Sequence, residues 1–226
     1  SSFTSGLNGL LNVPGDKSIS HRSLIIAGMA IGQTEIRGLL RSEDVLSTLC
    51  AMRQLGVTIE DDLDKNVIAV KGVGICGFNS PEKPLDLGNS GTGVRLLMGA
   101  IAGQPLTARL TGDASLSARP MKRITDPLQQ MGAQIGYLPK NEGKGLLPVT
   151  ITGANPALPL SYSTQVASAQ IKSAIMLAGL NARGVTIISE PHISRDHTES
   201  MLRHFGVEVE QRFLTDGRHQ VTLAGE

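Results

Sequence analysis

The sequence is poor in rings. It has no tryptophan, two tyrosines and four phenylalanines, so aromatic residues fill only 3% of its 226 positions. Glycine is plentiful instead, at 26, a balance that suggests tight turns and close packing of small residues. Net charge is nearly absent: 21 Lys and Arg stand against 20 Asp and Glu, for a formal charge of +1. Bulk charge therefore offers no argument for a nucleic-acid or membrane partner, and any anion site must come from local clustering. Only two cysteines occur, Cys50 and Cys76, in no metal-type spacing; they read as thiols of a reducing compartment. The longest apolar run, Leu24 to Ile31, is far too short to span a bilayer, and no basic n-region precedes an apolar segment near the start. A cytoplasmic protein is expected, or an organellar one that has lost a transit peptide. The chain opens on Ser1 rather than Met, which suggests a trimmed start.

Several chemistries lack their residues. No His, Cys, Asp and Glu cluster has metal-ligand spacing. There is no G-x-S-x-G elbow, and the glycines of GNSGTG do not follow the G-x-G-x-x-G pattern. GDKS echoes a P-loop, but that loop needs Lys directly after Gly. His192 and His197 stand five apart and read as solvated or capping residues. Neither a metal nor a cofactor is expected.

What is present is a repeat. MRQLGVTIE, LQQMGAQIG and LRHFGVEVE centre on Gly56, Gly132 and Gly206, 76 and 74 residues apart. After each comes a strand-like run closing on glycine, at Gly72, Gly153 and Gly225. Before each lies a small-residue helix that ends near Gly32, Gly103 or Gly184. Three units fill the chain, at about 14–74, 85–153 and 159–226, each read as βαβαββ. In the first, Ser18 or Ser20 is expected to cap a helix running to Ile31, with Gly32 as its stop. Ser42 caps the next, whose apolar stripe is Val45, Leu46, Leu49, Met52 and Leu55. The first helix of each unit is apolar almost all round and is expected to be buried on every side. Strands alternate, as in sheets with one wet face. The fold class is therefore α/β (or α+β): an inside-out domain of three pseudo-threefold units, buried helices near the axis and sheets outside.

Polar residues gather where these buried helices begin, and a helix N-terminus favours phosphate or carboxylate. Lys17, Ser18 and Arg22 open the first. Asn89, Ser90, Gly91 and Thr92 open the second, where the glycines admit a ligand close to the backbone. Ser168, Ala169, Gln170 and Lys172 open the third. Singly, the second and third stretches read as an ordinary turn and an ordinary helix start. Their equivalent places in three repeats give them weight, because threefold symmetry would gather them at one end. Arg119, before a helix with Pro120 at its first position, and Arg195 fit the same end. Pro127 is expected to kink or split its helix.

PGDKSISHRS, LGNSGTGVRLL, LTGDASLSARPMKR, ASAQIKSAIMLAGL and SRDHTESMLRHFG together resemble, in order, the signature stretches of the EPSP synthase family (3-phosphoshikimate 1-carboxyvinyltransferase), closest to the bacterial class II form. The resemblance implies an enolpyruvyl-transferase-like fold and transfer of the enolpyruvyl group of phosphoenolpyruvate to shikimate 3-phosphate in the shikimate pathway, the target of glyphosate. It implies that Lys17, Ser18, Arg22, Ser168, Ala169, Gln170 and Arg195 contact shikimate 3-phosphate. Lys17, Asn89, Gly91, Thr92, Arg119 and Gln170 would contact phosphoenolpyruvate, and Lys17 would serve proton transfer. Family members carry a second half, and residues 1–13 would belong to that other domain. The isolated chain is accordingly expected to be inactive, with small anionic substrates and the missing half as partners, and no nucleic acid or membrane; the full-length family is usually monomeric. A relative acting on UDP-N-acetylglucosamine shares the fold but carries a reactive Cys near the phosphoenolpyruvate site, where neither Cys50 nor Cys76 fits. A non-catalytic anion-binding half is the other alternative.

Overall fold

The computed structural model of the chain describes residues 8–11 and 13–225. The strand expected over 1–13 lies largely outside the described residues. The first unit contains α1 (Lys17–Met29), β1 (Ile31–Arg37), α2 (Glu43–Gln54), β2 (Thr58–Asp62) and β3 (Val67–Val73). The second contains β4 (Leu85–Asp86), α3 (Gly91–Ala102), β5 (Thr107–Thr111), α4 (Ala114–Ser117), α5 (Lys122–Gln130), β6 (Gln134–Tyr137), α6 (Pro139–Glu142) and β7 (Val149–Thr152). The third contains β8 (Ser161–Ser163), α7 (Ala169–Gly179), β9 (Val185–Glu190), α8 (His197–His204), β10 (Val209–Phe213) and β11 (His219–Ala224).

Each unit makes its own sheet, in the orders β1-β3-β2, β4-β5-β7-β6 and β8-β9-β11-β10. In the second and third sheets the opening strand runs parallel to its neighbour, with Leu85 opposite Leu110 and Ser161 opposite Ile187. Among the described residues the first sheet has no such strand, so β1 is an edge.

The repeated glycines have physical reasons. Gly56, Gly132 and Gly206 follow α2, α5 and α8 with φ of +92°, +98° and +88°, a left-handed helix exit that disfavours any Cβ. Gly72, Gly153 and Gly225 press against the last turns of α1, α3 and α7: a Cβ there would collide with the carbonyls of Ala27 and Ala30, of Ile101 and Gln104, and of Gly179 and Ala182. Three-fold recurrence of both contacts makes the units structurally equivalent.

As expected, α1, α3 and α7 form the core; Leu24, Ile25, Val94, Leu96, Leu97, Ile101, Ala174 and Ile175 are wholly buried. Small residues let α3 and α7 meet closely, with Gly99 against the backbone of Ala174 and Gly103 against that of Ala178. The strands alternate in burial, as β7 and β9 show most clearly.

Several local expectations are corrected. Asp16, not Ser18 or Ser20, caps α1, its carboxylate accepting from the Ile19 N–H at 2.8 Å. The helix begins at Lys17, so Asp16 holds the N-cap position while Ser18 and Ser20 already lie within the helix. Helix α1 ends at Met29 and Gly32 lies inside β1, because backbone pairing of Gly32 with Gly72 recruits it into the sheet. Ser42 stands at the N-cap of α2 without a side-chain cap bond. Leu46 points away from the α2 stripe and is 36% exposed. Helix α5 starts at Lys122 with Met121 as its cap, so Pro120 precedes the helix, and α5 runs through Pro127 without a break. Pro127 is the sixth residue of α5, so the N–H it lacks forfeits a single helical bond near the start.

Two linkers cross the seams between units. Between the first and second, Asn79 donates to the Leu55 carbonyl and the Phe78 N–H donates to Gln104 Oε1. Between the second and third, Leu158 donates to the Met131 carbonyl, and Ala157 bridges to Ala182. The seam between the third and first units has no such crossing among the described residues. It is an apolar groove of about 800 Å3 walled by residues such as Ile26, Met29, Leu180, Phe205 and Val207. This hollow lies at the C-terminal ends of α1 and α7 and no cation lines it, so it is not where anion chemistry belongs.

Candidate anion-binding site

At the opposite ends of the same helices, the first turns of α1, α3 and α7 converge. Ser18, Arg22, Thr92, Ala169, Gln170, Arg195 and His197 wall one cavity of about 100 Å3. Six of these seven were expected from sequence.

Arg22 is the best-supported cation. It is 3% exposed, yet each guanidinium nitrogen has a partner. Nε donates to Thr198 Oγ1 at 2.6 Å, Nη1 to the Ser18 carbonyl at 2.9 Å and Nη2 to Ser173 Oγ at 3.0 Å. A guanidinium has five N–H donors, so donors remain for a ligand. Burial pulls its pKa below the usual arginine value, and the Glu199 carboxylate opposes that. Arg195 lies across the cavity, exposed. Asp16 nearby stays well ionised, chiefly through the Ile19 N–H.

The glycine-rich start of α3 is pinned from below. Ser90 accepts from the Gly93 N–H at 3.1 Å, and its hydroxyl lies 3.4 Å from His21 Nε2. His21 Nδ1 is 2.8 Å from Thr48 Oγ1. Burial drives the His21 pKa down to about 4, so the ring is a neutral strut joining α1, α2 and α3.

A second cationic group adjoins the cavity at Gly91. Arg119 Nη2 donates to Asn89 Oδ1 at 2.5 Å and to Ser115 Oγ at 3.2 Å. Asn89 donates in turn to Asp113 at 2.8 Å. Arg95 Nη1 donates to the Gly91 carbonyl at 3.1 Å and to Gln170 Oε1 at 3.2 Å. Gln170 Nε2 donates to Thr92 Oγ1 at 3.1 Å. Gln170 therefore links the Arg22 cavity to the Arg95–Arg119 pair. Burial, and secondly Arg119, lower the Arg95 pKa from its usual value.

Two expected residues stand differently. Lys17 lies outside the cavity wall, its ammonium 2.6 Å from Asp44 and its side chain 50% exposed. Ser168 uses its hydroxyl to cap α7, accepting from the Ile171 N–H at 3.4 Å. Sequence reasoning missed Arg95 and His197 as site residues. Arg95 follows Gly91 by four residues, so helical spacing alone would have put it over the helix start.

The arrangement can hold two adjacent anionic groups, one over Arg22 and α7 and one beside Gly91. Comparison with solved structures bears on its class. EPSP synthase from Acinetobacter baumannii superposes with a TM-score of 0.87 at 46% identity, over 96% of this chain and 47% of that one. The enolpyruvyl transferase NikO from Streptomyces tendae shares the fold at 16% identity, with a TM-score of 0.63. The class is thus an enolpyruvyl-transferase-fold domain, with a cation-lined cavity where its helix N-termini converge. The family model for EPSP synthase (3-phosphoshikimate 1-carboxyvinyltransferase) matches residues 3–225. A 3-phosphoshikimate 1-carboxyvinyltransferase from Nitrobacter hamburgensis is 53% identical over 97% of this chain. The chain belongs to the EPSP synthase family, and it spans about half the length of the curated relatives it matches.

Proposed function

We propose that this chain is the anion-binding half of an enzyme that moves the enolpyruvyl group of phosphoenolpyruvate to the 5-hydroxyl of shikimate 3-phosphate, releasing phosphate. The observation that carries it is the cavity where α1, α3 and α7 begin, with Arg22 and Arg195 in its walls. Residues 14–226 form the substrate-binding domain, and 1–13 belong to the other domain. Ser18, Arg22, Ser168, Ala169, Gln170 and Arg195 hold shikimate 3-phosphate. Asn89, Gly91, Thr92, Arg119 and Gln170 hold phosphoenolpyruvate, and Arg95 joins them.

In the reaction the 5-hydroxyl gives up its proton as its oxygen adds to C2 of phosphoenolpyruvate and C3 takes a proton; the tetrahedral adduct then loses a C3 proton as it expels phosphate, which restores the double bond. Two polyanions must be held side by side, so positioning and charge neutralisation dominate what this half supplies. Lys17 reaches both substrates and moves the proton, for which it leaves Asp44. Its exposure and four-carbon stem allow that swing. No metal or cofactor is invoked. Cys50 lies exposed on α2 and Cys76 in the first linker, and neither walls the cavity, which disfavours the UDP-N-acetylglucosamine reading. Among the described residues no helix is long and apolar enough to cross a membrane, and the reading places the protein in the cytoplasm.

The isolated chain is expected to show no turnover with both substrates, and mixing it with a separately produced second half is expected to restore it. Normal turnover by the 226 residues alone would refute the division of labour. Loss of shikimate 3-phosphate binding to UDP-N-acetylglucosamine competition would refute the substrate.

A further inference from the structure

We infer that Lys172 is a positioning residue for this anion site, one buried ammonium that sets three of its walls through Glu190 and Glu199. The inference rests on the functional reading above.

Lys172 is the fourth residue of the largely apolar helix α7 and is 0% exposed. Its Nζ lies 2.9 Å from Glu190 Oε2 and 2.6 Å from Glu199 Oε1, both carboxylates also wholly buried. An apolar side chain could fill such a place, and hydrophobic replacement of a buried ion cluster is often harmless to stability. Stability alone therefore gives no reason for the charges. What the carboxylates hold does.

Glu190, the last residue of β9, accepts from the Ser168 N–H at 3.0 Å. Ser168 is the cap of α7, so this bond orients the free N–H groups of the Ala169–Gln170 wall. Both oxygens of Glu190 also lie 2.8 Å from Ser194 Oγ, which precedes Arg195 in the opposite wall. Glu199 stands on α8 beside Thr198, the residue that receives Arg22 Nε. Thr198 is bonded in turn to Ser173, the neighbour of Lys172, at 2.6 Å. The first turn of α7, the Ser194–Arg195 corner and Arg22 thus converge on one ammonium.

The charge count points the same way. Burial opposes ionisation of Glu190, but Lys172, Ser194 and the Ser168 N–H outweigh it and hold its carboxyl below the usual range. Without Lys172, two buried carboxylates would face each other directly behind a phosphate site. They would repel one another and the incoming anion. His219 Nδ1 lies 3.9 Å from Glu190, and Arg22 interacts electrostatically with Glu199, so further basic groups face the two carboxylates.

The test titrates this chain with shikimate 3-phosphate, and separately with inorganic phosphate, following backbone amide resonances by NMR. Lys172→Met and Glu190→Gln are compared with the unaltered chain. For each folded variant, affinity is expected to fall about tenfold or more, the size of one charge-assisted hydrogen bond. The Ser168 amide resonance is expected to move even without ligand, a signature that a purely space-filling role would not give. Should Lys172→Met not fold, Glu190→Gln decides alone. Folded variants that bind within twofold of the unaltered chain overturn the inference whether or not the Ser168 resonance moves, as does failure of both to fold, since the charges would then be structural. An unaltered chain that binds phosphate but not shikimate 3-phosphate overturns the substrate reading only, and the variants are then scored on phosphate. One that binds neither overturns both.

Discussion

A methyl group on Gly91 would stand 2.8 Å from Nη1 of Arg119, and 3.1 Å from Nη1 of Arg95. Both atoms are ends of flexible side chains, so Gly91→Ala is accommodated by moving guanidinium groups rather than by unfolding the helix start. The displaced groups are those proposed to hold phosphoenolpyruvate. In the full-length enzyme the substitution is expected to raise the KM for phosphoenolpyruvate and to weaken inhibition by glyphosate about tenfold or more, since one charge-assisted contact has that size. Glyphosate inhibition identical in the two proteins would sink the assignment of Gly91.

The pairing of α3 with α7 makes a different demand on glycine. A Cβ at residue 99 would collide with the backbone of Ala174, which cannot rotate away. Gly99→Ala is expected to destabilise the chain by about 1–3 kcal/mol, the usual cost of overpacking a core. Gly143 has nothing within 4 Å of the equivalent position. Gly143→Ala is expected to stay within about 0.5 kcal/mol, as surface changes do. Urea unfolding of both variants checks the contrast; equal effects would contradict it.

Much of this was legible in the sequence, because the repeat carried it. Glycine at 56, 132 and 206 marked three helix exits, and three helices apolar almost all round marked a buried centre. The convergence of Ser18, Thr92 and Gln170 followed from equivalence. What escaped was set by tertiary partners that no local pattern reveals. Asp16 competes with Ser18 and Ser20 for one cap, and the winner depends on where the chain turns. Gly32 reads as a helix stop until Gly72 pairs with it. Lys172 sat in a quoted motif, yet nothing local showed that Glu190 and Glu199, 18 and 27 residues further on, would bury it.

Arg22 offers a test of geometry against charge. Its three engaged nitrogens reach Ser18, Ser173 and Thr198 on three different elements. A lysine keeps the charge but not the planar fork. Arg22→Lys is expected to weaken binding of shikimate 3-phosphate by about tenfold or more, because two or three fixed contacts are lost at once. Calorimetric titration of the folded variant measures this. Unchanged affinity would show that charge alone suffices at this position.

The neutral strut at His21 makes stability depend on pH in a definable window. The folded pKa is about 4 against an ordinary 6.5, and burial is the main cause. Asp44 pulls the value up, while Lys17 and Arg22 push it down. As pH falls below 6.5 the unfolded chain takes up a proton that the folded chain refuses, so stability falls until the folded ring also protonates near pH 4. The shift predicts a loss of about 3 kcal/mol across that interval, at 1.36 kcal/mol per pKa unit. Above pH 6.5 this group contributes no slope. Carboxylates titrate in the same range, so the measurement is the difference between the unaltered chain and His21→Gln, by denaturant unfolding from pH 7 to pH 4. The variant starts less stable, having lost a fitted ring between Thr48 and Ser90, but its stability is expected to fall less steeply with acid. Parallel curves would mean that His21 takes up its proton alike in the folded and unfolded chain, so that burial does not hold the ring neutral and the neutral-strut account of the start of α3 fails.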